Sequence, residues 1–456
     1  DYKAKLLAMA NRTYLCLAHM SGNEMKYIQE AFDTNWVVPL GPNVNAFEDE
    51  LARFVKSVDA KKDFDDEDYP QRIMAHCDDP EQLWLDSLPS LQDKSVVALC
   101  SGTAAIHLAL IALGVKAGDE VMCQSFTFCA SSHPVTYLGA VPVFVDSERE
   151  TWNMDPELLD RAIQDRITKT GRKPKAIIVV YLYGMPAKIR EIMDVAAKYD
   201  IPVLEDAAEG LGSRYESQVV GTFGRFGVLS FNGNKMITTS GGGALICPDA
   251  ATKQRVMFFA TQAREAFPYY QHEEIGYNYR LSNVCAGIGR GQMTVLDEHI
   301  AHHRRVARLY EAAFSKIDGI TFHGNPDGEC DSNFWLNTIL LAPELKIKGQ
   351  AQTYTQAVEG AVGGAAGVVH ATGQVHTDCE PATNVEALRI ALDKVGIESR
   401  PLWKPMHKQP VYQTSPAYVN GVSEELFCRG LCLPSGPCVS ESEVERIVAE
   451  IKAALD

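Results

Sequence analysis

VVALCSGTAAIHLALIALGV (96–115) holds a short β-rich apolar run, a Ser-Gly-Thr turn and a long helix-forming stretch, one directly after another. A strand with no polar residue along its length is one covered on both faces. The pattern repeats downstream. EVMCQ (120–124) leads into a helix-like stretch to Gly139, and PVFVD (142–146), KAIIVVY (175–181), PVLED (202–206), GVLSF (227–231) and GALIC (243–247) follow. Seven apolar strands, most separated by helical stretches, predict an α/β domain built on a mainly parallel seven-stranded sheet flanked by helices.

Ser21-Gly22-Asn23-Glu24 has the form of a capping box, with Ser21 capping a helix that runs to about Thr34 and Glu24 reaching back. Helical patterns fill most of 249–315. After about Ile320 the texture becomes α+β, with FWLNTILLA (334–342) as strand, NVEALRIALDKVG (384–396) as helix and a last helix near 441–455. The expected division is an N-terminal arm and large domain over 1–315, and a small α+β domain over 316–456. Residues 57–94, acidic and irregular, and 346–382, rich in Gly and Ala, read as surface insertions.

Composition narrows the function classes. The chain has 456 residues, 59 acidic against 43 basic, for a formal net charge of −16. Phosphate-backbone recognition needs a basic face, so a nucleic-acid partner is excluded. The apolar runs, such as Ala176 to Leu182, are too short to cross a bilayer. Twelve cysteines are too sparse for a disulfide scaffold, and Cys100, Cys123 and Cys247 sit in apolar runs as expected buried thiols of a reducing cytoplasm. No signal-like apolar run follows Lys3 and Lys5. Cys428, Cys432 and Cys438 lack zinc spacing. Glu298-His299 with His302 and His303 has the wrong order for a zincin and reads as the polar face of a helix, so no metal is implied.

Three positions carry chemistry when taken together. Ser101-Gly102-Thr103-Ala104 lies where a strand ends and a helix begins, which offers unpaired N–H groups and a positive dipole end to an anion; alone it is equally an ordinary cap. Asp206 ends the strand PVLED, where open α/β sheets collect ligands, though a cap or an ion pair would also explain it. Lys235, in SFNGNK (230–235) before TTSGGG (238–243), has no helical face to lie along; most single lysines are simply solvated. In this order they match what pyridoxal phosphate needs: a phosphate cradle, a carboxylate for the ring nitrogen and an amine to hold the aldehyde.

On these residues the sequence resembles the nucleotide-sugar aminotransferases of the DegT/DnrJ/EryC1/StrS family, which have fold type I of the pyridoxal-phosphate enzymes. The matching stretches are HMSGNEMKYIQEAFDTNWVVPLGPNVNAFE (19–48), SGTAAIHLAL (101–110), SFTFCAS (125–131) and LYGMPAKIREI (182–192). EDAAEGLGS (205–213), SFNGNKMITTSGGG (230–243), GYNYRLSN (276–283), ESRPLWKPMH (398–407) and GLCLPSG (430–436) complete the set.

The resemblance implies a role for each matched residue. Lys235 falls on the lysine that binds the cofactor and then moves protons, and Asp206 on the partner of the pyridinium nitrogen. Phe128 falls on the ring stacked against the cofactor; Gly102, Thr103 and Ser230 fall on phosphate contacts. Asn278 matches a phosphate contact given by the neighbouring subunit, which implies a homodimer with shared active sites. Glu209 stands where relatives carry His, Gln or Glu near the cofactor. SFNGNK and RPLWKPMH resemble the branch that aminates C4 of UDP-linked 4-keto-6-deoxy-N-acetylhexosamines, with Arg400, Trp403 and His407 as sugar contacts. The implied reaction moves an amino group from glutamate to the keto sugar through pyridoxal 5'-phosphate and pyridoxamine 5'-phosphate, as an EC 2.6.1 type enzyme of amino-sugar and polysaccharide biosynthesis. Tyr181 departs from the His or Asp often found before LYG. The other readings are a dehydratase or lyase on the same fold, which Lys235 opposes for the dehydratases, and a catalytically silent binding protein.

Overall fold

The computed structural model describes residues 12–57, 91–349 and 379–456. The two expected insertions fall almost wholly outside the described residues. The seven expected strands are β1 (Ser95–Leu99), β2 (Glu120–Gln124), β3 (Val141–Val145), β4 (Ala176–Val180), β5 (Val203–Asp206), β6 (Phe226–Ser230) and β7 (Gly243–Cys247). They lie side by side in the order β1-β7-β6-β5-β4-β2-β3. Only β7 runs against its neighbours, β1 and β6; the other pairings among the seven are parallel. A two-residue strand, Ala417–Tyr418, extends the sheet beyond β3. Two residues carry no periodicity, so the sequence did not announce it.

Alternate strand residues enter opposite cores, which is why the runs are apolar throughout. Val96, Ala98, Ile177 and Val179 belong to one buried cluster; Val97, Leu99, Ala176 and Ile178 belong to the other. The helices that matter here are α1 (Glu24–Asp33), α2 (Pro42–Val55), α3 (Gly102–Ala112), α4 (Pro156–Thr170) and α5 (Ile189–Tyr199). They continue as α6 (Ala250–Ala260), α7 (Asn283–Met293), α8 (Leu296–Phe314), α9 (Thr383–Lys394), α10 (Val422–Arg429) and α11 (Glu441–Ala454). Leu158 and Ile163 of α4 and Ile189 of α5 cover one face, while Ile106 and Leu108 of α3 cover the other. Half of the expected capping box forms. Glu24 accepts from the Ser21 and Gly22 amides at 2.7 and 3.0 Å, but the Ser21 hydroxyl takes the Asn23 amide, so α1 starts at Glu24.

The second sheet is antiparallel: β8 (Ile320–Phe322), β9 (Asn337–Leu341), β10 (Arg400–Pro401) and β11 (Gly430–Leu433), ordered β8-β9-β11-β10. Val306, Tyr310 and Phe314 of α8 pack into its core with residues of α9 and α11, whereas Leu296 and Ile300 of the same helix pack into the first core. The chain therefore passes from one core to the other along a helix. It also crosses at the N-terminal arm, where Thr13 bridges to Ile397 and Leu15 O accepts the Ser435 amide at 2.8 Å.

Two expectations are corrected. Cys123 and Cys247 are fully buried, but Cys100 is exposed, because it stands one residue past the end of β1 where the chain leaves the sheet. His299 and His303 do not form a polar face: both are buried between α8 and its neighbours, with their Nδ1 atoms 3.3 and 3.1 Å from the Met236 and Phe334 carbonyls. Burial pushes the His303 imidazole down to about 3. Among the described residues no cluster of His, Cys, Asp or Glu could hold a metal ion, and no helix is long and apolar enough to cross a membrane.

Candidate active site

The ends of β1, β5 and β6 open on a cavity of about 430 Å³. At the end of β1 the Ser101 hydroxyl accepts the Ala104 amide at 3.0 Å, and the Ser101 carbonyl takes the Ala105 amide. The amides of Gly102 and Thr103, at the positive end of α3, have no hydrogen-bond partner among the described residues. A Cβ on Gly243 would stand 2.4 Å from the Gly102 nitrogen, so a glycine as the first residue of β7 is what lets that strand lie against the start of α3. Ser230, the last residue of β6, shares this corner: a Cβ on Gly102 would come within 3.3 Å of the Ser230 Cβ. Gly102, Thr103 and Ser230 all line the cavity.

Asp206 ends β5, buried to 4% exposure, with its carboxylate in the cavity wall. The Ser131 hydroxyl donates to Oδ2 at 2.6 Å and the Ala208 amide to Oδ1 at 3.1 Å. Burial pushes this carboxyl up from its ordinary value, and those two bonds oppose the rise. A cation beside it would complete the site. Glu209, three residues on, is also buried; its Oε2 accepts the Tyr183 amide at 2.7 Å, and burial pushes its carboxyl up as well.

Lys235 lies in the excursion between β6 and β7, closed at its base by the Phe231 amide on the Gly242 carbonyl. Its side chain is only 13% exposed, and Nζ sits 3.4 Å from Glu209 Oε1 and 3.9 Å from the Trp335 ring centroid. Phe128 is half exposed at the mouth, edge-on to Trp403 at 5.9 Å. Arg400 and Trp403 line the cavity, and Arg400 is ion-paired with Glu398 at 2.9 Å. Tyr181 lies inside the sheet edge and donates its hydroxyl to buried Glu205.

Two expected site residues stand apart. His407 is held by the Ser125 hydroxyl at 2.7 Å and by Glu424 at 3.1 Å, so its ring is drawn away from the cavity wall. Asn278 is exposed on the segment bridged to Thr261 and does not line the cavity of its own chain. Several walls were missed. FWLNTILLA reads as strand from Phe334, yet the strand begins at Asn337 and the chain bends at 335–336, with Phe334 at φ +49°. Ser131 lies inside a quoted motif without an assigned role. Tyr14 to Leu17, which close one side, carry no local signal at all.

Taken as a donor set, the cavity fits pyridoxal phosphate. Free helix-start amides with two hydroxyls suit a phosphate, a buried carboxylate suits a ring N–H⁺, and a confined amine suits an aldehyde.

The model of the DegT/DnrJ/EryC1/StrS aminotransferase family matches residues 90–366 and 350–452. EpsN of Bacillus subtilis (strain 168), provisionally named a pyridoxal phosphate-dependent aminotransferase, is 42% identical over 96% of this chain and 95% of its own. The GDP-perosamine synthase of Escherichia coli O157:H7 is 30% identical over 95% of each chain. In fold, the chain is similar to the crystal structure of a DegT DnrJ EryC1 StrS aminotransferase from Brucella abortus. That match has a TM-score of 0.74 and 24% identity, and it covers 95% of each chain.

Proposed function

This chain belongs to the DegT/DnrJ/EryC1/StrS aminotransferase family, and on that premise we propose that it transfers the amino group of glutamate to C4 of a UDP-linked 4-keto-6-deoxy sugar. The cofactor is pyridoxal 5'-phosphate, and the product serves amino-sugar and polysaccharide biosynthesis. The observation that carries this reading is the convergence of a helix-start anion cradle, the Asp206 carboxylate and the Lys235 amine on one cavity.

Bound there, pyridoxal 5'-phosphate supplies a sink for the electron pair released at a substrate carbon, and its pyridoxamine form stores the amino group between half-reactions. The rest of the work belongs to side chains. Gly102, Thr103 and Ser230 would hold the phosphate, and Phe128 would lie against the ring. Asp206 holds a proton on the ring nitrogen, since a buried carboxylate strongly favours a cation beside it. The Ser131 hydroxyl orients that carboxylate. Lys235 would hold the aldehyde, and as a free amine its Nζ would take the proton from the donor's α-carbon and deliver it to the carbon that had been the aldehyde. Glu209 orients the freed amine from 3.4 Å. Arg400 and Trp403 face the sugar.

Asn278 reaches a phosphate only from a second copy of the chain, which makes the active form a homodimer. Exposed Trp36, Val37 and Val38 lie beside the Asn283 end of the same segment and give that copy an apolar surface. The described cysteines are all free thiols, as suits work in the cytoplasm.

Borohydride reduction followed by peptide mapping tests the core reading. A pyridoxyl tag on Lys235, absent in Lys235→Ala together with all transamination, is the expected result; turnover by Lys235→Ala would refute it. Mixing Lys235→Ala with Asn278→Ala subunits should restore activity through heterodimers with one intact site, and no restoration would overturn the shared site. UDP- and GDP-linked 4-keto sugars offered side by side decide the nucleotide.

A further inference from the structure

Trp335 is almost fully buried, yet its ring lies in the cavity wall with the Lys235 amine 3.9 Å from its centroid. The ring is fastened to the lysine's own loop: Nε1–H donates to the Asn234 carbonyl at 2.6 Å, one residue before Lys235. It is fastened equally to the opposite wall. The Trp335 amide donates to Asn333 Oδ1 at 2.8 Å, and Asn333 Nδ2 donates to the carbonyls of Glu209 and Leu211 at 2.9 and 2.8 Å. One asparagine thus locks the ring face and the Glu209 backbone into a single frame around Nζ. Phe334 pays for that turn with a left-handed φ of +49°.

We infer that Trp335 is a positioning residue for the transfer, holding the Lys235 amine by its ring face during the interval in which Nζ carries the substrate's proton. The inference rests on Lys235 being the reacting amine. Once displaced from the cofactor and loaded with a proton, Nζ is a cation on a flexible four-carbon stem. An ammonium is attracted to the negative face of an indole, more strongly when little water intervenes. Glu209 offers charge from one side, the ring from another, and between them the proton is kept within reach of the carbon that must receive it. A leucine of similar depth would fill the space without attracting the charge.

The test uses the full chain freed of cofactor, so it reads Lys235 itself and does not depend on turnover. Tryptophan bearing one, two or three ring fluorines is placed at position 335; fluorine drains the negative face and leaves the shape nearly unchanged. Acetic anhydride acylates only the uncharged amine, and mass spectrometry follows the Lys235 peptide. The expected result is a stepwise rise in acylation rate along the series, about fivefold in total, as the attraction to the ring is lost. A flat series would overturn the inference, even if Trp335→Leu raised the rate by opening space. Because the fluorinated rings keep the packing, a folding defect in Trp335→Leu leaves the test intact. Loss of the pyridoxyl tag on the wild-type Lys235 would instead strike the proposed reaction.

Discussion

Asp146 follows β3 and its buried carboxylate holds four backbone amides: Ser147 and Ser423 on Oδ1 at 2.8 and 3.1 Å, Asn420 and Gly421 on Oδ2 at 3.1 and 3.0 Å. Those contacts staple the start of α10 to the edge of the large sheet. The segment so held carries Glu424, which grips His407, four residues past Trp403 in the cavity wall. In Asp146→Asn one oxygen becomes an NH₂ group. Whichever way the amide turns, two backbone donors then face a donor. Losing two hydrogen bonds to a charged acceptor, at about 1.5 kcal/mol each, gives a loss near 3 kcal/mol. For a chain this long the unfolding entropy is about 1 kcal/mol/K, so about 1 °C is expected per kcal/mol and the melting midpoint should fall by about 3 °C. Circular dichroism melts of the two proteins, at equal concentration and without cofactor, read this directly. A fall of less than about 1 °C would mean the carboxylate is not the staple, and the account of how the 400–424 segment is anchored would have to be abandoned.

Asp206→Asn keeps the shape of the site but removes the charge that holds the ring proton; kcat should drop about 100- to 1,000-fold, read in steady-state kinetics with glutamate saturating. Arg400→Gln removes a charge from the cavity wall and should raise KM for the nucleotide sugar about tenfold or more while kcat changes little. If only the glutamate KM moves, Arg400 serves the donor instead. Burial works to raise the Glu24 carboxyl, but the Ser21 amide and the Gln292 side chain outweigh it and hold it down to about 2, against an ordinary 4.5. A depressed carboxyl stabilises fully above its unfolded value and loses that contribution as pH falls through its folded one. Urea midpoints of wild type and Glu24→Gln should therefore differ most above about pH 4.5 and converge towards pH 2. A gap independent of pH would contradict the assignment.

The large sheet was legible because its chemistry is local: a strand covered on both faces must be apolar along its whole length, as AIIVV (176–180) is. The convergence of Asp206 and Lys235 on one cavity was legible because a charged residue at a strand end, or in a glycine-rich turn, has few local reasons to be there. Trp335 was hidden for the opposite reason. An apolar residue before a β run looks like more strand, and the turn that withdraws it depends on Asn333 meeting carbonyls more than a hundred residues away. The place of the His407 ring was not legible because a motif names neighbours in sequence, whereas Ser125 and Glu424 decide where the ring goes. Cys100 sits at a boundary, where one residue separates interior from surface.

The tie between Leu15 and Ser435, and between Thr13 and Ile397, has a consequence for biosynthesis. A ribosome that has delivered the first three hundred residues has already released the phosphate cradle, the ring carboxylate and the lysine. The tryptophan of the wall arrives next, and the arm residues Tyr14 to Leu17 that close the vitamin's side wall cannot dock until Ser435 has been made. Vitamin capture should thus wait until synthesis has passed Ser435, and nascent chains truncated before Ser435 should hold it poorly.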